Sequence, residues 1–185
     1  MSDTNLRAVP VKGAEHILTW AQAKIAAEAG VMRTLSAIVN NRKSRGVNTS
    51  DLKRRHCETY TDNIIVAQGE LAVGQEFNLF WDGRLGDLEA ADVGGLLDVR
   101  ASTRLDHDLC LHEWDKDERP YVSVLVDGFR CVIHGWFFGF EGKQTKYWRD
   151  GAKGWPAFWV PRGELHDLSE LHHWVALNRP VGPVA

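Results

Sequence analysis

Two aspartates and an arginine lie close together between residues 91 and 102, in a pattern that could support chemistry. Asp92 precedes Val93-Gly94-Gly95, which is typical of a turn, and Asp98 and Arg100 follow two residues apart in a predicted strand. Because side chains alternate between the two faces of a strand, Asp98 and Arg100 should point the same way. A turn after Asp92 would bring its carboxylate beside that of Asp98.

Paired carboxylates repel each other strongly unless a cation lies between them. Mg²⁺ is bound in this way, through one or two carboxylates together with waters and phosphate oxygens, and Mn²⁺ would serve equally. A cationic side chain on the same face would then lie near a bound phosphate. From the residues alone a simpler interpretation stays open, in which Asp92 caps a turn and Asp98 and Arg100 form an exposed pair on the strand.

This pattern resembles the PD-(D/E)xK superfamily of restriction-endonuclease-like nucleases, which place one acid at a strand end and an acid-x-Lys triplet on the next strand. Asp92 matches the first acid, and Asp98-Val99-Arg100 matches the triplet. The preceding helix of the family often adds a glutamate. Glu70 is the better match for it and Glu76 the weaker one.

A wider set of motifs is similar to a group of small phage and actinobacterial nuclease-like proteins, over roughly residues 63–171. The shared motifs are a Gly-Glu helix, Trp81-Asp82-Gly83, Asp92-Val93-Gly94, Val99-Arg100, Trp114-Asp115-Lys116-Asp117, Gly135-Trp136, Tyr147-Trp148, Pro156-Ala157 and Val160-Pro161. The resemblance implies a Mg²⁺-dependent phosphodiesterase, a DNA endonuclease, in the cytoplasm of a bacterium or a phage-infected host. Many restriction-like nucleases are dimers, so a homodimer is a further expectation.

The resemblance also implies a role for each site residue. Asp92, Asp98 and Glu70 would hold the metal, and Arg100 would steady the phosphate. However, Arg100 stands where the family has lysine, and arginine keeps its proton at any accessible pH, so it cannot act as a base. Either the metal-bound water is deprotonated without this residue, or the chain is an inactive nuclease-like module that binds nucleic acid or a protein.

Charge is distributed unevenly along the chain, although the 22 Lys and Arg and 25 Asp and Glu residues leave a net charge of only -3. Residues 82–118 hold eleven acids and four basic residues. A preceding basic stretch and a later basic-aromatic stretch are candidates for nucleic-acid binding. Their candidate residues are Arg42, Lys43, Arg45, Lys53, Arg54 and Arg55, and then Lys143 and Lys146 beside Tyr147 and Trp148. Solvated surface remains the alternative for both.

Hydrophobic periodicity predicts helices first and strands later. The predicted helices are 14–29, ended by Gly30, then 31–41, 62–80 with Thr61 as N-cap, and 164–176. The predicted strands, mostly antiparallel, are 96–103, 109–112, 121–126, 129–134 and 157–160, with a hairpin turn at Asp127-Gly128. We therefore expect an α+β fold, with a restriction-endonuclease-like core of a central mixed or antiparallel sheet flanked by helices.

The predicted organisation is a basic, helical N-terminal extension over residues 1–58 and a nuclease-like domain over 59–185. No apolar run is long enough for a membrane helix, and the first residues lack the pattern of a signal peptide. The three cysteines are far apart and form no CxxC pair, which argues against a disulfide framework or a zinc ribbon. Of the eight tryptophans, Trp81 and Trp114 flank the acidic strands, where they would either wall a site or pack in the core.

Overall fold

The computed structural model describes residues 13–40, 52–85, 90–150 and 156–179, with only the backbone for 52–59. The helices are α1 (Trp20–Val39), α2 (Leu52–Glu76), α3 (Gly139–Gly142) and α4 (Leu168–Asn178). The strands are β1 (Ala14–Ile17), β2 (Asp98–Ser102), β3 (Leu109–Leu111), β4 (Pro120–Asp127), β5 (Arg130–Phe138), β6 (Trp148–Arg149) and β7 (Ala157–Val160). Two short 3-10 helices cover Thr145–Tyr147 and Arg162–Glu164.

The strands form two sheets. The larger sheet has the order β1-β5-β4-β2, with β2 parallel to β4 and the other neighbours antiparallel. The smaller sheet has the order β3-β7-β6 and is antiparallel. The expectation of an α+β fold with a mixed sheet flanked by helices is therefore confirmed. In the described part of the chain, no helix combines the length and apolar character that crossing a membrane requires.

Two hydrophobic cores lie on opposite faces of the larger sheet, because side chains alternate along β4. Val122, Val124 and Val126 join α2 and α4 in one core. Tyr121, one residue earlier, joins Phe137 and the small sheet in the other. Asp98 lies opposite Tyr121 in the parallel ladder, so the proposed site belongs to the edge strand of a sheet that is covered on both faces.

The N-terminal part differs from the prediction of a helix over 14–29. Residues 14–17 form strand β1, which pairs with β5, and α1 then begins after Thr19. Thr19 caps the helix reciprocally with Gln22, since each side chain accepts a hydrogen bond from the other's backbone N–H. The predicted stop at Gly30 is also wrong, because α1 continues through it to Val39.

Gly30 is retained inside α1 because α1 and α2 approach each other very closely there. A Cβ at this position would lie 2.6 Å from the backbone nitrogen of Ile64 and 2.8 Å from the carbonyl carbon of Asn63. The loss of helix propensity at a glycine, about 1 kcal/mol relative to alanine, is the cost of this contact. The close approach also brings Arg33, one turn further along α1, within reach of α2.

We expect Gly30→Ala to destabilise the protein even though alanine is the better helix former. Backbone atoms of α2 cannot move aside as a flexible side chain can, so the helices must separate, at a net cost of about 1–3 kcal/mol. Urea unfolding followed by circular dichroism measures this free energy. Gly163→Ala is the matched control, because a Cβ at Gly163 meets nothing within 4 Å. Equal stability of the two variants would contradict the close contact.

Helix α2 begins at Leu52, so the predicted N-cap at Thr61 is wrong and Thr61 lies within the helix. It ends at Glu76 rather than near residue 80. The predicted domain boundary between residues 58 and 59 falls inside this continuous helix. The division into extension and domain therefore gains no support from the secondary structure, and β1 already contributes a strand to the main sheet.

The predicted strands all have counterparts in the structure, with boundaries shifted by a few residues. The β4–β5 hairpin turns at Gly128, whose φ of 61° is the left-handed conformation that favours glycine. The expectation of mostly antiparallel strands is confirmed, and among the described strands β2 and β4 form the parallel pair. Residues 103–119 connect β2 to β4, and this connection contains β3, which belongs to the small sheet.

Candidate functional site

Asp92 and Asp98 are brought together by a tight turn, as the sequence predicted. Val93 and Leu97 form an isolated antiparallel bridge, closed by Gly94 and Gly95 with φ angles of 61° and 70°. The Asp92 backbone N–H donates to Asp98 Oδ1 at 3.3 Å. The Val99 N–H in turn donates to Asp92 Oδ2 at 2.8 Å. Each carboxylate therefore accepts a backbone N–H at or next to the other aspartate, at the start of β2, and the charge of Asp98 acts on Asp92.

Glu70 approaches this pair from α2, because Gly69 lets the helix pack closely on the sheet. A Cβ at Gly69 would lie 2.9 Å from the Cβ of Ala101 on β2. The Glu70 side chain is almost fully buried, with 1% of it exposed. A free buried carboxylate would be strongly destabilising, so its partners decide whether this arrangement is stable.

Three hydrogen bonds hold the Glu70 carboxylate. Arg33 donates through Nη1 to Oε1 at 2.8 Å and through Nη2 to Oε2 at 2.6 Å, which is a bidentate pair. Trp81 Nε1 donates to Oε2 at 2.7 Å, so this tryptophan does wall the acidic cluster. Arg33 Nε also donates to the Arg84 carbonyl, which fixes the guanidinium plane. Glu70 is thus neutralised by a residue of the N-terminal helix.

Asp92 has a different environment, and its pKa is raised to about 7. The main cause is burial, which disfavours the charged form, and the carboxylates of Glu70 and Asp98 add to it by repulsion. The hydrogen bond from Val99 and the charge of Arg100 act in the opposite direction. Within the described ranges, no cationic side chain is hydrogen-bonded to the Asp92 carboxylate.

Asp98 forms an ion pair with Arg119. Arg119 Nη1 lies 3.0 Å from Oδ2 and 3.3 Å from Oδ1 of the aspartate. Both side chains are largely buried, with 15% of Arg119 and 11% of Asp98 exposed. No sequence pattern pointed to Arg119, because it lies 21 residues beyond Asp98 in the chain. Its proximity depends on the parallel pairing of β4 with β2.

Arg100 lies on the same face of β2 as Asp98, as alternation predicted. Burial acts to lower its pKa, but the charge and hydrogen bond of Asp115, and after them the charges of Asp98 and Asp92, raise it. Its guanidinium is nevertheless engaged elsewhere. Nη2 pairs with Asp115 Oδ2 at 2.9 Å, and Nε donates to the Cys110 carbonyl at 3.3 Å. The guanidinium also lies over the Tyr121 ring, 4.9 Å from its centre.

The other glutamate that the sequence suggested, Glu76, belongs to a different cluster. Its Oε2 and Oε1 pair with the Nε2 atoms of His16 and His172, each at 2.8 Å. These contacts join β1 and α4 to the end of α2, and they lower the Glu76 pKa against the opposing effect of burial. Glu70 is therefore the glutamate that the fold associates with Asp92.

The metal ligands that the sequence suggested are Asp92, Asp98 and Glu70. In the ranges that the structure describes, no three His, Cys, Asp or Glu side chains are arranged to hold a metal ion. Mg²⁺ commonly uses only one or two protein carboxylates and completes its shell with waters and phosphate oxygens. Metal binding by Asp92 and Asp98 stays a prediction, and Asp98 already accepts hydrogen bonds from Arg119 and the Asp92 N–H. Glu70 uses both oxygens for Arg33 and Trp81, so its predicted role as a ligand stays a prediction.

Most of the predicted nucleic-acid-binding residues fall where the structure offers no description. Arg42, Lys43 and Arg45 lie outside the described residues, and for Lys53, Arg54 and Arg55 only the helical backbone is described. Lys143 and Lys146 are described, and both are engaged in local contacts. Lys143 Nζ bonds to Asp117 Oδ1 at 2.5 Å and to the Asp115 carbonyl at 2.6 Å.

Lys146 lies 3.2 Å from Glu164 and over the Tyr147 ring, 4.4 Å from its centre. The Lys146 side chain remains more than half exposed, whereas that of Lys143 is mostly buried. Contact of either lysine with nucleic acid stays a prediction. Trp114, the other tryptophan expected near the acids, stacks on His112 at 4.5 Å beside Asp115.

Comparison of the chain with protein-family models, with curated proteins and with solved structures finds no match. A function is therefore inferred from the arrangement of the site residues and from the motif resemblance of the sequence.

Proposed function

We propose that this chain is a metal-dependent phosphodiesterase of the PD-(D/E)xK type, acting as a DNA endonuclease. The observation that carries the proposal is the Asp92 carboxylate, buried beside Asp98 and Glu70, with no cationic side chain bonded to it in the described part of the chain. Such a carboxylate is stabilised either by a proton or by a cation. A divalent cation between Asp92 and Asp98 would relieve the repulsion that raises the Asp92 pKa.

In this proposal Asp92 and Asp98 hold Mg²⁺ or Mn²⁺, and Glu70 supports them from α2. The bound metal would polarise a phosphoryl oxygen and make a coordinated water more nucleophilic. Because its pKa is raised, Asp92 is also suited to accept or donate a proton near neutral pH. The basic residues of 42–55 would bind the phosphate backbone of the DNA, which is the usual source of sequence-independent affinity.

The test is a plasmid assay. We expect the purified chain to convert supercoiled plasmid to nicked circles in the presence of Mg²⁺ or Mn²⁺, and EDTA to stop the reaction. Mn²⁺ binding to the protein without DNA, measured by electron paramagnetic resonance, gives a second readout that contaminating nucleases cannot supply. A protein that neither binds Mn²⁺ nor nicks DNA would contradict the proposal.

A second candidate is an inactive nuclease-like module that binds nucleic acid or a protein, and one observation favours it. Arg100 occupies the position of the lysine in the motif that the sequence resembles, and its guanidinium forms an ion pair with Asp115. The Arg100→Lys variant separates the candidates in the same plasmid assay. Nicking that appears only in this variant would identify the native chain as a binder.

A further inference from the structure

Helix α1 carries apolar residues on two opposite faces. One face packs on α2, which within the described ranges is the element packed most extensively on α1, and it holds the buried residues Ala23, Ala26, Gly30 and Thr34. The opposite face, here called the outer seam, consists of residues spaced alternately four and three positions apart: Ala21, Ile25, Glu28, Met32, Leu35 and Val39. This spacing is the heptad pattern of helices that pair through a narrow apolar seam.

The large apolar side chains of the outer seam are exposed. Ile25 is 55% exposed, Met32 47%, Leu35 41% and Val39 82%. Ile38, beside Val39, is 46% exposed and widens the apolar surface at the C-terminal end of α1. Together these five residues expose on the order of 500 Å², which is near the upper end of what soluble monomers usually show as one patch. An exposed patch of this kind indicates an interaction surface.

We propose that the outer seam binds a second copy of this chain, so that two α1 helices pair antiparallel in a homodimer. With the two-fold axis at the level of residue 30, every seam position meets a seam position of the other copy. The facing pairs are Ala21 with the partner's Val39, Ile25 with the partner's Leu35, and Glu28 with the partner's Met32. The helix lies outside the range 63–171 that resembles nucleases, and the inference does not depend on the proposed function.

The charges of the helix favour a second copy in the antiparallel direction. Lys24, which is 75% exposed, lies near the N-terminus of α1, the positive end of its helix dipole, and the last turn of α1 has no basic residue. In the antiparallel pair Lys24 lies beside the C-terminal end of the partner helix, where a cation is favourable. In a parallel pair, Lys24 and Glu28 would each approach the same charge on the other copy.

The area of the outer seam also fits a second copy. Two copies would bury on the order of 1,000 Å² in total, which is the lower limit for a specific interface. A helix of 20 residues, about 30 Å long, reaches this area only with a partner that follows its whole length. An identical helix does so. We therefore expect a dimer with a Kd of roughly 1–100 μM.

Sedimentation equilibrium of the full chain measures this Kd, and circular dichroism confirms that each variant is folded. Met32→Glu places a charge in the seam and should weaken dimerisation at least about tenfold. Glu28→Leu removes the charged residue of the seam and should tighten dimerisation by about the same factor. Leu177→Glu is the matched control, because Leu177 is 73% exposed on a different helix, α4, and this variant should match the wild type.

Cysteine cross-linking tests the direction of the pair. A mixture of Ala21→Cys and Val39→Cys chains should form disulfide-linked dimers under mild oxidation. Either variant alone should not, because its two introduced cysteines would lie about 27 Å apart along the antiparallel pair. A parallel pair would instead cross-link each variant with itself. The wild type, which has three cysteines of its own, gives the background level.

A wild type that stays monomeric at about 200 μM overturns the proposal. So does a dimer whose Kd is the same in Met32→Glu and Glu28→Leu as in the wild type, or one that Leu177→Glu weakens as much as Met32→Glu does. Cross-linking of each cysteine variant with itself contradicts the antiparallel pair. If Met32→Glu does not fold, Glu28→Leu decides, since a tighter dimer supports the proposal and an unchanged or weaker dimer overturns it.

Discussion

Asp92→Asn should abolish plasmid nicking while making the metal-free protein more stable at pH 8. The loss of nicking, at least about a thousandfold, follows from removing the carboxylate that would hold the metal with Asp98. The gain in stability follows from removing a negative charge that burial, Glu70 and Asp98 all disfavour. Functional residues are often held at a cost in stability, and this variant separates the two effects.

The pH dependence of the gain has a definite sign. The pKa of Asp92 is raised from its ordinary value to about 7 in the folded protein, so the native state binds a proton more tightly than the unfolded chain. Its contribution to stability is therefore complete below about pH 4 and is lost as the pH rises through about 7. The wild type should lose up to about 4 kcal/mol over this range relative to Asp92→Asn, because the pKa rises from 3.8 to about 7 and each pKa unit corresponds to about 1.4 kcal/mol.

Urea titrations of both proteins at pH 4 and pH 8, with EDTA present, measure the difference in the free energy of unfolding. Asp106→Asn is the matched control, because Asp106 is exposed and pairs with Arg104 outside the acidic cluster. Adding Mn²⁺ at pH 8 should stabilise the wild type and leave Asp92→Asn unchanged. If the free energy of unfolding depends on pH identically in the wild type and Asp92→Asn, Asp92 is not a carboxylate whose pKa is raised by burial.

Arg33→Ala should produce the largest loss of stability among single changes at the site, about 3–5 kcal/mol. The change leaves Glu70, with 1% of its side chain exposed, without the guanidinium that binds both of its oxygens. Trp81 alone cannot compensate a buried negative charge. Because Arg33 belongs to α1, the loss would also show that the N-terminal helix is part of the site.

Urea unfolding with circular dichroism tests this prediction. Adding Glu70→Gln to Arg33→Ala should restore part of the stability, since a neutral amide can still accept from Trp81 without a buried charge. Arg130→Ala is the comparison for an exposed ion pair, because Arg130 and Glu15 are each more than two-fifths exposed, and it should matter far less. If Arg33→Ala and Arg130→Ala unfold at the same urea concentration, the Arg33–Glu70 pair does not stabilise the fold.

The features that the sequence predicted correctly are those that depend on neighbouring residues. The Asp127-Gly128 turn follows from the backbone preference of glycine, and the β4–β5 hairpin forms there. The meeting of Asp92 and Asp98 requires only a tight turn between two residues six positions apart, and Gly94 and Gly95 provide it. The matching faces of Asp98 and Arg100 follow from strand alternation alone.

Predictions that required knowledge of distant contacts were wrong or incomplete. The periodicity predicted that residues 14–17 belong to a helix, but they form a strand because they pair with β5. Gly30 was predicted to end a helix, but it lies inside α1, where the close contact with α2 requires a residue without a side chain. Local propensity is worth at most about 1 kcal/mol at such positions, and tertiary packing outweighs it.

The partners of the charged residues were decided by the tertiary structure alone. The sequence itself determined that Asp92, Asp98 and Arg100 share one turn and one strand. Whether each charge meets a counter-ion depends on the parallel pairing of β2 with β4, which presents Arg119 to Asp98, and on the packing of α1 against α2. The physical reason is that an ion pair depends on distance in space, and residues 21 or 37 positions apart are brought together only by the fold.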